Sequence, residues 1–377
     1  MSPDRAHLPD GRLGAGLDAL SAEVARIDAL FAEAGAEAVE PAALQPADLL
    51  LALYGEDVRA RAFVVHDPVE GEMMLRPDFT VPVLRLHAER GATPARYRYA
   101  GPVWRRQEPG STRPTEYLQA GYESLGEPDD VAADAETFAR IKAALGGFPV
   151  ETRTGDLAVA FAAVAGLSAP ERWKAALRRH LWRPAAFRAL LHRLGPGRPE
   201  PSDSRAALIA AAEAGDAALR AFVMERGPLP GLRPLSDVMD RARELAADAR
   251  LALSAEEIAR LEATLAVSGP ADAALARLRG LDPALAPALD RLERRLEALA
   301  ARGEDPSALP FDASFGRALE YYDGFVFEFA APGRPDLPPL AGGGRYDALT
   351  ARLSGAALPA VGGILRPEAL LSARGAA

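Results

Sequence analysis

The apolar positions near the start of the chain recur at the helical period. They run from Leu17 to Ala34 and predict an amphipathic helix. Gly35 would end this helix, because glycine accepts the left-handed conformation that closes many helices. Residues 36–41 then read as a short extended segment. The chain therefore opens with a helix, a glycine and a strand.

A hairpin pattern follows the opening segment. Apolar residues at 63–65 and 73–75 flank the turn residues Asp67–Gly71 and predict a hairpin. Its second strand leads into Arg76-Pro77-Asp78-Phe79-Thr80, after which apolar residues again recur at helical spacing. A helix beginning here would have Asp78 and Thr80 near its N-cap.

A second, longer hairpin is predicted between residues 96 and 123, around a Pro/Gly-rich loop at 108–114. Its first strand ends at Arg105, and its second carries Gln119 and Glu123 four positions apart, hence on one face. A guanidinium at a strand end is suited to bind a phosphate or a carboxylate in a bidentate manner. The pattern alone equally fits an edge hairpin with solvated arginines.

Residues 168–300 are dominated by Ala, Leu and Arg and predict several successive helices. Ser254 and Glu257 have the spacing of a capping box. Leucines step by four and three from Leu285 to Leu299, which indicates a helix packed on a core. We expect three parts: a core segment at 1–167, a helical insertion at 168–300, and a second core segment at 301–377.

Strand patterns return after residue 300. Residues 311–315 and 325–328 have strand character, and the Asp323-Gly324 pair before the second of them predicts a hairpin turn. Glycines 342–344 lack the Gly-Lys-Ser/Thr of a phosphate loop, so a close backbone approach within a sheet is the better interpretation.

Composition narrows the classes of function. The 377 residues carry a net charge of −9, which argues against a surface built for nucleic acid. The sequence has no cysteine, and its five histidines have no metal-ligand spacing, so we expect neither disulfides nor a metal or other cofactor. No run of 18 apolar residues occurs. We therefore expect a cytoplasmic protein without membrane or nucleic-acid partners.

The long hairpin resembles motif 2 of class II aminoacyl-tRNA synthetases, in the version found in histidyl-tRNA synthetases. Tyr99–Arg105 matches the strand that ends in the motif's arginine, and Glu116–Glu123 matches the returning strand. The resemblance implies an α+β fold with an antiparallel sheet flanked by helices. The opening segment Leu30–Pro41 resembles motif 1, which forms the dimer interface in that family and implies a homodimer.

Two further stretches resemble the histidine-specific parts of that family. Arg76–Thr80 is similar to a loop whose carboxylate receives the amino group of histidine, although Phe79 stands in the place of glycine and would narrow the pocket. Arg317–Glu328 resembles the histidine signature, in which the arginine contacts the carboxylate of the substrate and a tyrosine lines the imidazole pocket. The implied histidine-binding residues are Asp78, Thr80, Arg105, Gln119, Glu123, Arg317, Tyr321 and Tyr322.

The chain departs from working synthetases where they bind ATP. In motif 3 the aligned residues are Arg366-Pro367-Glu368-Ala369, so alanine replaces the arginine that binds the γ-phosphate. In motif 2, Gln107 replaces an acidic residue. Seven residues follow Leu370, too few for an anticodon-binding domain, so we expect none.

With these departures, the chain resembles the family of ATP phosphoribosyltransferase regulatory subunits. The resemblance implies a non-catalytic protein that assembles with a short-form catalytic subunit, activates it, and mediates feedback inhibition by histidine in the first step of histidine biosynthesis. The alternative is a truncated ligase that activates histidine, against which Ala369 and Gln107 speak. A tRNA-binding accessory module is opposed by the negative charge.

Overall fold

The computed structural model describes residues 11–375, except 55, 91, 109–110, 112, 182, 227–233 and 317–320 and the side chains of 52, 56 and 57. The strands within this part of the chain are β1 (Glu37–Ala38), β2 (Leu44–Pro46), β3 (Val64–Asp67), β4 (Gly71–Leu75), β5 (Ala95–Trp104), β6 (Glu116–Leu125), β7 (Glu151–Asp156), β8 (Ser268–Pro270), β9 (Pro310–Asp312), β10 (Phe325–Ala330), β11 (Ala341–Arg345) and β12 (Ala360–Leu365).

The α-helices are α1 (Gly14–Glu33), α2 (Ala47–Leu53), α3 (Glu56–Arg61), α4 (Thr80–Arg90), α5 (Asp130–Ala144), α6 (Leu157–Ala165), α7 (Glu171–His180), α8 (Pro184–Leu194), α9 (Asp203–Glu213), α10 (Asp216–Met224), α11 (Leu235–Ala249), α12 (Ala255–Leu265), α13 (Ala271–Arg279), α14 (Ala286–Ala300), α15 (Asp347–Ser354) and α16 (Pro367–Ala373). The predicted opening helix corresponds to α1, and Gly35 after it has a φ of 75°.

A nine-stranded sheet forms the centre of the fold, in the order β1-β5-β6-β12-β11-β10-β7-β9-β8. Its central pairs are antiparallel, as predicted, but β1 pairs with β5 in parallel and so does β7 with β9. The sheet is therefore mixed. Long connections allow the parallel pairs, because a parallel pair needs a crossover rather than a tight turn.

Both predicted hairpins are present. In the long one, β5 and β6 pair without interruption from Ala95 opposite Leu125 to Trp104 opposite Glu116. In the short one, β3 pairs with β4 across a turn in which the Asp67 carboxylate accepts two backbone N–H groups, at 2.8 and 2.9 Å. The turn between β3 and β4 is specified locally, because Asp67 competes well for backbone hydrogen bonds.

The predicted hairpin at Asp323-Gly324 is wrong. Strand β10 pairs with β7 on one side and β11 on the other, so the segment immediately before Asp323 is not its hairpin partner. Asp323 instead accepts the backbone N–H of Asp347 at 3.1 Å, at the start of α15. Asp323 thus caps the N-terminus of a helix that lies later in the sequence.

Helices α1 and α5 cover one face of the central sheet. The Phe138 ring of α5 packs on Phe325, Phe327 and Phe329 of β10, with ring centroids 5.1–6.0 Å away. Glycines make this approach close: a Cβ on Gly363 would lie 2.7 Å from Ile141. The glycine-rich strands β11 and β12 therefore form part of a sheet core, as predicted.

The chain divides into two compact units. One comprises residues 1–162 and 264–377, and the other is the helical unit Ala163–Ala263. Helices α13 and α14, which the sequence assigned to the insertion, thus belong to the first unit. The predicted capping box is confirmed, since Ser254 and Glu257 exchange backbone-to-side-chain hydrogen bonds of 2.9 and 3.1 Å. The predicted leucine stripe of α14 is buried throughout.

Ion pairs explain why α14 joins the sheet rather than the insertion. The buried Arg295 guanidinium donates to Asp134 of α5 at 2.8 Å and also to Asp156 of β7. Arg345 donates to the second oxygen of Asp134 at 2.8 Å. The helical period of α14 showed that one face is buried, but it carried no information about which core the face joins.

Candidate functional site

The candidate site lies on the face of β5 and β6 opposite to α5. Glu123 pairs with Tyr97, Gly121 with Tyr99, and Gln119 with Gly101, so these residues share one face. The Tyr99 ring lies directly over Gly121, where any Cβ would overlap it. Gln119 and Glu123 therefore share a face, as predicted.

Glu123 is a buried carboxyl held by hydroxyl groups. Its Oε1 accepts hydrogen bonds from Thr80 Oγ1 at 3.0 Å and from the Tyr99 hydroxyl at 2.8 Å, and its Oε2 accepts one from the Tyr346 hydroxyl. Burial raises the pKa of Glu123 to about 7, although the three donors act to lower it. The side chain is therefore poised to change charge near neutral pH.

Glycines provide the room for this carboxyl. Gly362 lies beside Glu123 on the neighbouring strand β12, and a Cβ there would overlap the carboxylate. Gly344 on β11 pairs with Gly362, and a Cβ on Gly344 would lie 2.9 Å from the Tyr322 ring. The glycines of β11 and β12 thus make room on both faces of the sheet: for α5 on one face, and for the Glu123 carboxyl and the Tyr322 ring on the other.

Asp78 is the second buried carboxyl of the site. Its Oδ1 accepts a hydrogen bond from the Tyr54 hydroxyl, and the backbone N–H groups of Thr80 and Val81 also point to it. Asp78 therefore caps α4, as the helix-start interpretation predicts. Burial raises the pKa of Asp78, and the nearby Arg105 guanidinium opposes this rise.

Arg105 approaches Asp78 without forming a direct hydrogen bond to it. The distance from its Nη2 to Asp78 Oδ2 is 3.9 Å, while its Nε donates to the Pro77 carbonyl at 2.8 Å. A guanidinium held in this way at the end of β5 keeps part of its hydrogen-bonding capacity for other groups. Arg105 is not the solvated arginine of an edge hairpin that the sequence pattern equally allowed, because only 21% of its side chain is exposed.

Tyrosine rings surround the two carboxyls. The Tyr321 ring lies 4.7 Å from that of Tyr322, 5.8 Å from that of Tyr346 and 6.2 Å from that of Tyr54. The Tyr321 hydroxyl is also 3.5 Å from Thr80 Oγ1. Burial raises the pKa of Tyr54, Tyr321 and Tyr346 well above 10, so their hydroxyls remain neutral donors.

Two buried acceptors in the site have no hydrogen-bond partner among the described residues. They are Asp78 Oδ2 and Gln119 Oε1, in side chains that are 3% and 2% exposed. Unpartnered buried acceptors are costly, so they indicate a place where a ligand donates N–H groups. An ammonium or an imidazole N–H would meet this requirement.

The structure therefore brings most of the predicted site residues together. Asp78 lies beside Arg105, while Thr80 links Glu123 to Tyr321 and hence to Tyr322. The predicted residue Arg317 lies outside the described residues. Phe79 is fully buried, stacked on Tyr99 at 4.3 Å and covering Gly101.

Sequence reasoning missed three tyrosines that hold the carboxyls. Tyr99 stands in the motif 2-like strand and Tyr346 follows the glycines at 342–344, but no role was predicted for either. Tyr54 lies in a helix-like stretch, and nothing in its surroundings in the sequence points to Asp78. The pairing of these residues depends on contacts between elements 24 and 223 positions apart.

The residues that depart from motifs 2 and 3 have structural roles in this protein. Ala369 is buried in α16, and the neighbouring Glu368 accepts the backbone N–H of Leu118 at 3.0 Å. The Gln107 amide donates to the Pro114 carbonyl at 3.0 Å and so braces the hairpin loop. Arg366 donates to the Pro339 carbonyl. These side chains are engaged with the protein itself.

Among the described residues no helix is both long and apolar enough to cross a membrane. In the same part of the chain, no group of three or more His, Cys, Asp or Glu side chains is arranged to hold a metal ion.

Comparison with known proteins identifies the family. A sequence model of the family described as "Histidyl-tRNA synthetase" matches residues 17–250 and 233–370. A protein of Mesorhizobium japonicum named "ATP phosphoribosyltransferase regulatory subunit" is 36% identical over 353 residues, which cover 90% of this chain and 93% of the relative. The identically named protein of Brucella anthropi is 36% identical over 344 residues, covering 87% and 90%.

Solved structures show the same fold. An ATP phosphoribosyltransferase regulatory subunit/histidyl-tRNA synthetase from Bacillus halodurans superposes with a TM-score of 0.69 at 22% identity, covering 99% of this chain and 83% of the other. Histidyl-tRNA synthetase from Nostoc sp. PCC 7120 gives 0.59 at 15% identity, covering 99% and 74%. This chain therefore belongs to the histidyl-tRNA synthetase family and, within it, to the ATP phosphoribosyltransferase regulatory subunits.

Proposed function

We propose that this chain assembles with a short-form ATP phosphoribosyltransferase catalytic subunit, activates it, and mediates its feedback inhibition by L-histidine. The chain itself performs no catalysis in this proposal. The names of the relatives support the regulatory role. The replacement of the motif 3 arginine by the buried Ala369 supports the absence of adenylation activity.

The histidine part of the proposal rests on one observation: two buried acceptors, Asp78 Oδ2 and Gln119 Oε1, have no partner among the described residues. In our proposal they accept N–H groups from the ammonium of histidine. Glu123 accepts the imidazole N–H, and Arg105 provides a counter-charge for the carboxylate of the ligand. Buried charges of this kind are favourable only when a counter-charge or ligand satisfies them.

Assembly is tested by co-expression with a short-form catalytic subunit from the same genome. We expect the two chains to co-purify, and the catalytic subunit to turn over faster in the complex than alone. Addition of histidine should lower the rate of the complex. Two chains that elute separately, with a rate that the second chain does not change, would contradict the proposed assembly.

The pocket is tested by Glu123→Gln, which removes the charge but little volume. Calorimetric titration with histidine should show about tenfold weaker binding or more, because a hydrogen bond to a charged group contributes about 1.5–3 kcal/mol. Glu72→Gln is the matched control, since Glu72 is exposed on β4. If the Glu123→Gln complex is inhibited by histidine as strongly as the wild type, histidine binds elsewhere.

The competing activity, histidine activation, has its own assay. We expect no histidine-dependent exchange of pyrophosphate into ATP, because Ala369 cannot bind the γ-phosphate. Loss of one preorganised electrostatic contact in an active site costs about a hundredfold in rate or more. Exchange at the rate of an active synthetase would identify the chain as a ligase and remove the argument from motif 3.

A further inference from the structure

The helical unit contains a cleft that the function proposed above does not use. Helices α7, α8, α9 and α11 surround it, and its volume is about 780 Å³, within the range of small-molecule sites. Trp173 and Leu190, both buried, form part of its apolar wall together with Leu194 and Ile209. The cleft is therefore wide enough for a ligand with an apolar body.

The charge of this cleft is opposite to that of the whole chain. Five arginines line it against three acidic side chains, whereas the chain carries a net charge of −9. The arginines are Arg172, Arg193, Arg198, Arg205 and Arg241. A local positive excess on an acidic protein favours a negatively charged ligand.

Three of the five arginines are already engaged. Arg172 pairs with Asp248, and Arg241 donates to Glu244 at 2.8 Å. Arg198 donates to three carbonyl groups at the end of α11, among them that of Leu251 at 2.8 Å. These three side chains stabilise the helical unit and leave the positive charge of the cleft to the other two.

Arg193 and Arg205 are the remaining two. In the part of the chain that the structure describes, neither forms an ion pair or a hydrogen bond within the protein. Arg205 lies in the first turn of α9, next to Ser202, whose side chain does not cap that helix.

We propose that this cleft binds a small organic phosphate: a phosphate group attached to an apolar body. Arg193 and Arg205 contact the phosphate, because the planar guanidinium matches its oxygens in a bidentate manner. The wall that contains Trp173 and Leu190 contacts the apolar body. The site is independent of the histidine pocket, because its residues belong to the helical unit Ala163–Ala263.

Calorimetric titration of the full chain with naphthyl phosphate tests the proposal, since this probe combines both required features and is not a nucleotide. Naphthol and inorganic phosphate each carry only one of them. We expect both to bind at least about tenfold more weakly than naphthyl phosphate. Equal affinity for naphthyl phosphate and either partial probe would overturn the proposal.

Two double variants locate the binding. Arg193→Gln/Arg205→Gln should weaken naphthyl phosphate by about tenfold or more, while the melting temperature stays unchanged because both side chains are exposed and unpaired. Arg188→Gln/Arg220→Gln removes the same charge from exposed positions of α8 and α10 that do not line the cleft. An equal loss of affinity in the two variants, or no loss in the first, would overturn the assignment.

Discussion

At the scale of the residue, this protein satisfies buried carboxyls in two ways. Asp134 and Asp156 are held by ion pairs with the guanidinium groups of Arg295 and Arg345. Glu123, in the candidate site, is held by hydroxyl groups alone. Because no guanidinium among the described residues pairs with Glu123, burial raises its pKa to about 7 although the hydroxyl donors oppose this rise. The first kind stabilises the fold, and the second suits a site that responds to a ligand.

The pKa of Glu123 predicts a pH dependence of stability. This pKa rises from the ordinary 4.5 to about 7 on folding, so the folded chain binds the proton more tightly. The resulting stabilisation is fully present below pH 4.5 and is lost as the pH rises to about 7. Between these limits the free energy of unfolding should fall by about 3 kcal/mol more in the wild type than in Glu123→Gln.

Denaturant titrations at several pH values measure this difference. Asp323→Asn is the control, because burial also raises the pKa of Asp323, to about 6, outside the candidate site. The free energy of unfolding of Asp323→Asn should still show the pH dependence that Glu123 contributes. Parallel pH profiles for wild type and Glu123→Gln would show that folding does not shift the pKa of Glu123.

Gly362 predicts a second residue-scale effect. In Gly362→Ala the new Cβ would overlap the Glu123 carboxylate, which three hydroxyls hold in place. We expect a loss of about 1–3 kcal/mol in the free energy of unfolding. Gly16→Ala is the matched control: it lies in α1 with nothing within 4 Å, and it should stabilise the protein by about 0.5 kcal/mol. Equal effects in the two variants would contradict the crowding of Gly362.

The candidate site was predicted from the sequence only in part. Asp78, Gln119 and Glu123 could be named because they stand in motifs that resemble a known family. Their hydroxyl partners could not be named, because Tyr54 and Tyr346 lie in parts of the chain that no local sequence pattern connects to Asp78 or Glu123. The charged residues of the site could therefore be predicted from the sequence, but the hydroxyl groups that hydrogen-bond to them could not.

At the scale of the element, helix α14 depends on one buried side chain. Arg295→Met would leave Asp134 and Asp156 without a shared counter-charge in the core. We expect a loss of about 3–5 kcal/mol in the free energy of unfolding. Arg294→Met, at the exposed neighbouring position, should change it by less than about 0.5 kcal/mol. A similar small change in both variants would show that α14 is held by its leucines alone.

Elements with local signals were predicted well. The hairpins, helix α1 and the capping box of α12 each depend on residues a few positions apart. The order of strands in the sheet had no such signal. Strand β12 lies between β6 and β11, while β1 pairs in parallel with β5 and β9 pairs in parallel with β7. The Asp323-Gly324 prediction failed for the same reason, because the carboxylate of Asp323 caps a helix 24 positions later.

At the scale of the whole molecule, we predict a homodimer. Strand β1, within the motif 1-like segment Leu30–Pro41, lies at the edge of the nine-stranded sheet with both residues exposed. An exposed edge favours association with another chain. Light scattering at micromolar concentration should give about twice the chain mass of 39.8 kDa. A monomer mass under these conditions would contradict the assignment of this segment.

The division of the first unit around the helical unit has a consequence during synthesis. Strands β6 and β7 emerge from the ribosome early, but β10, β11 and β12, which separate them in the sheet, all follow residue 263. Until then the nascent chain exposes two unpaired edges and an apolar sheet face, which are sites for aggregation or chaperone binding. Ribosome-bound chains stalled at residue 263 should be cleaved readily by protease in β6, whereas completed chains resist, because translation of the last 114 residues closes the sheet.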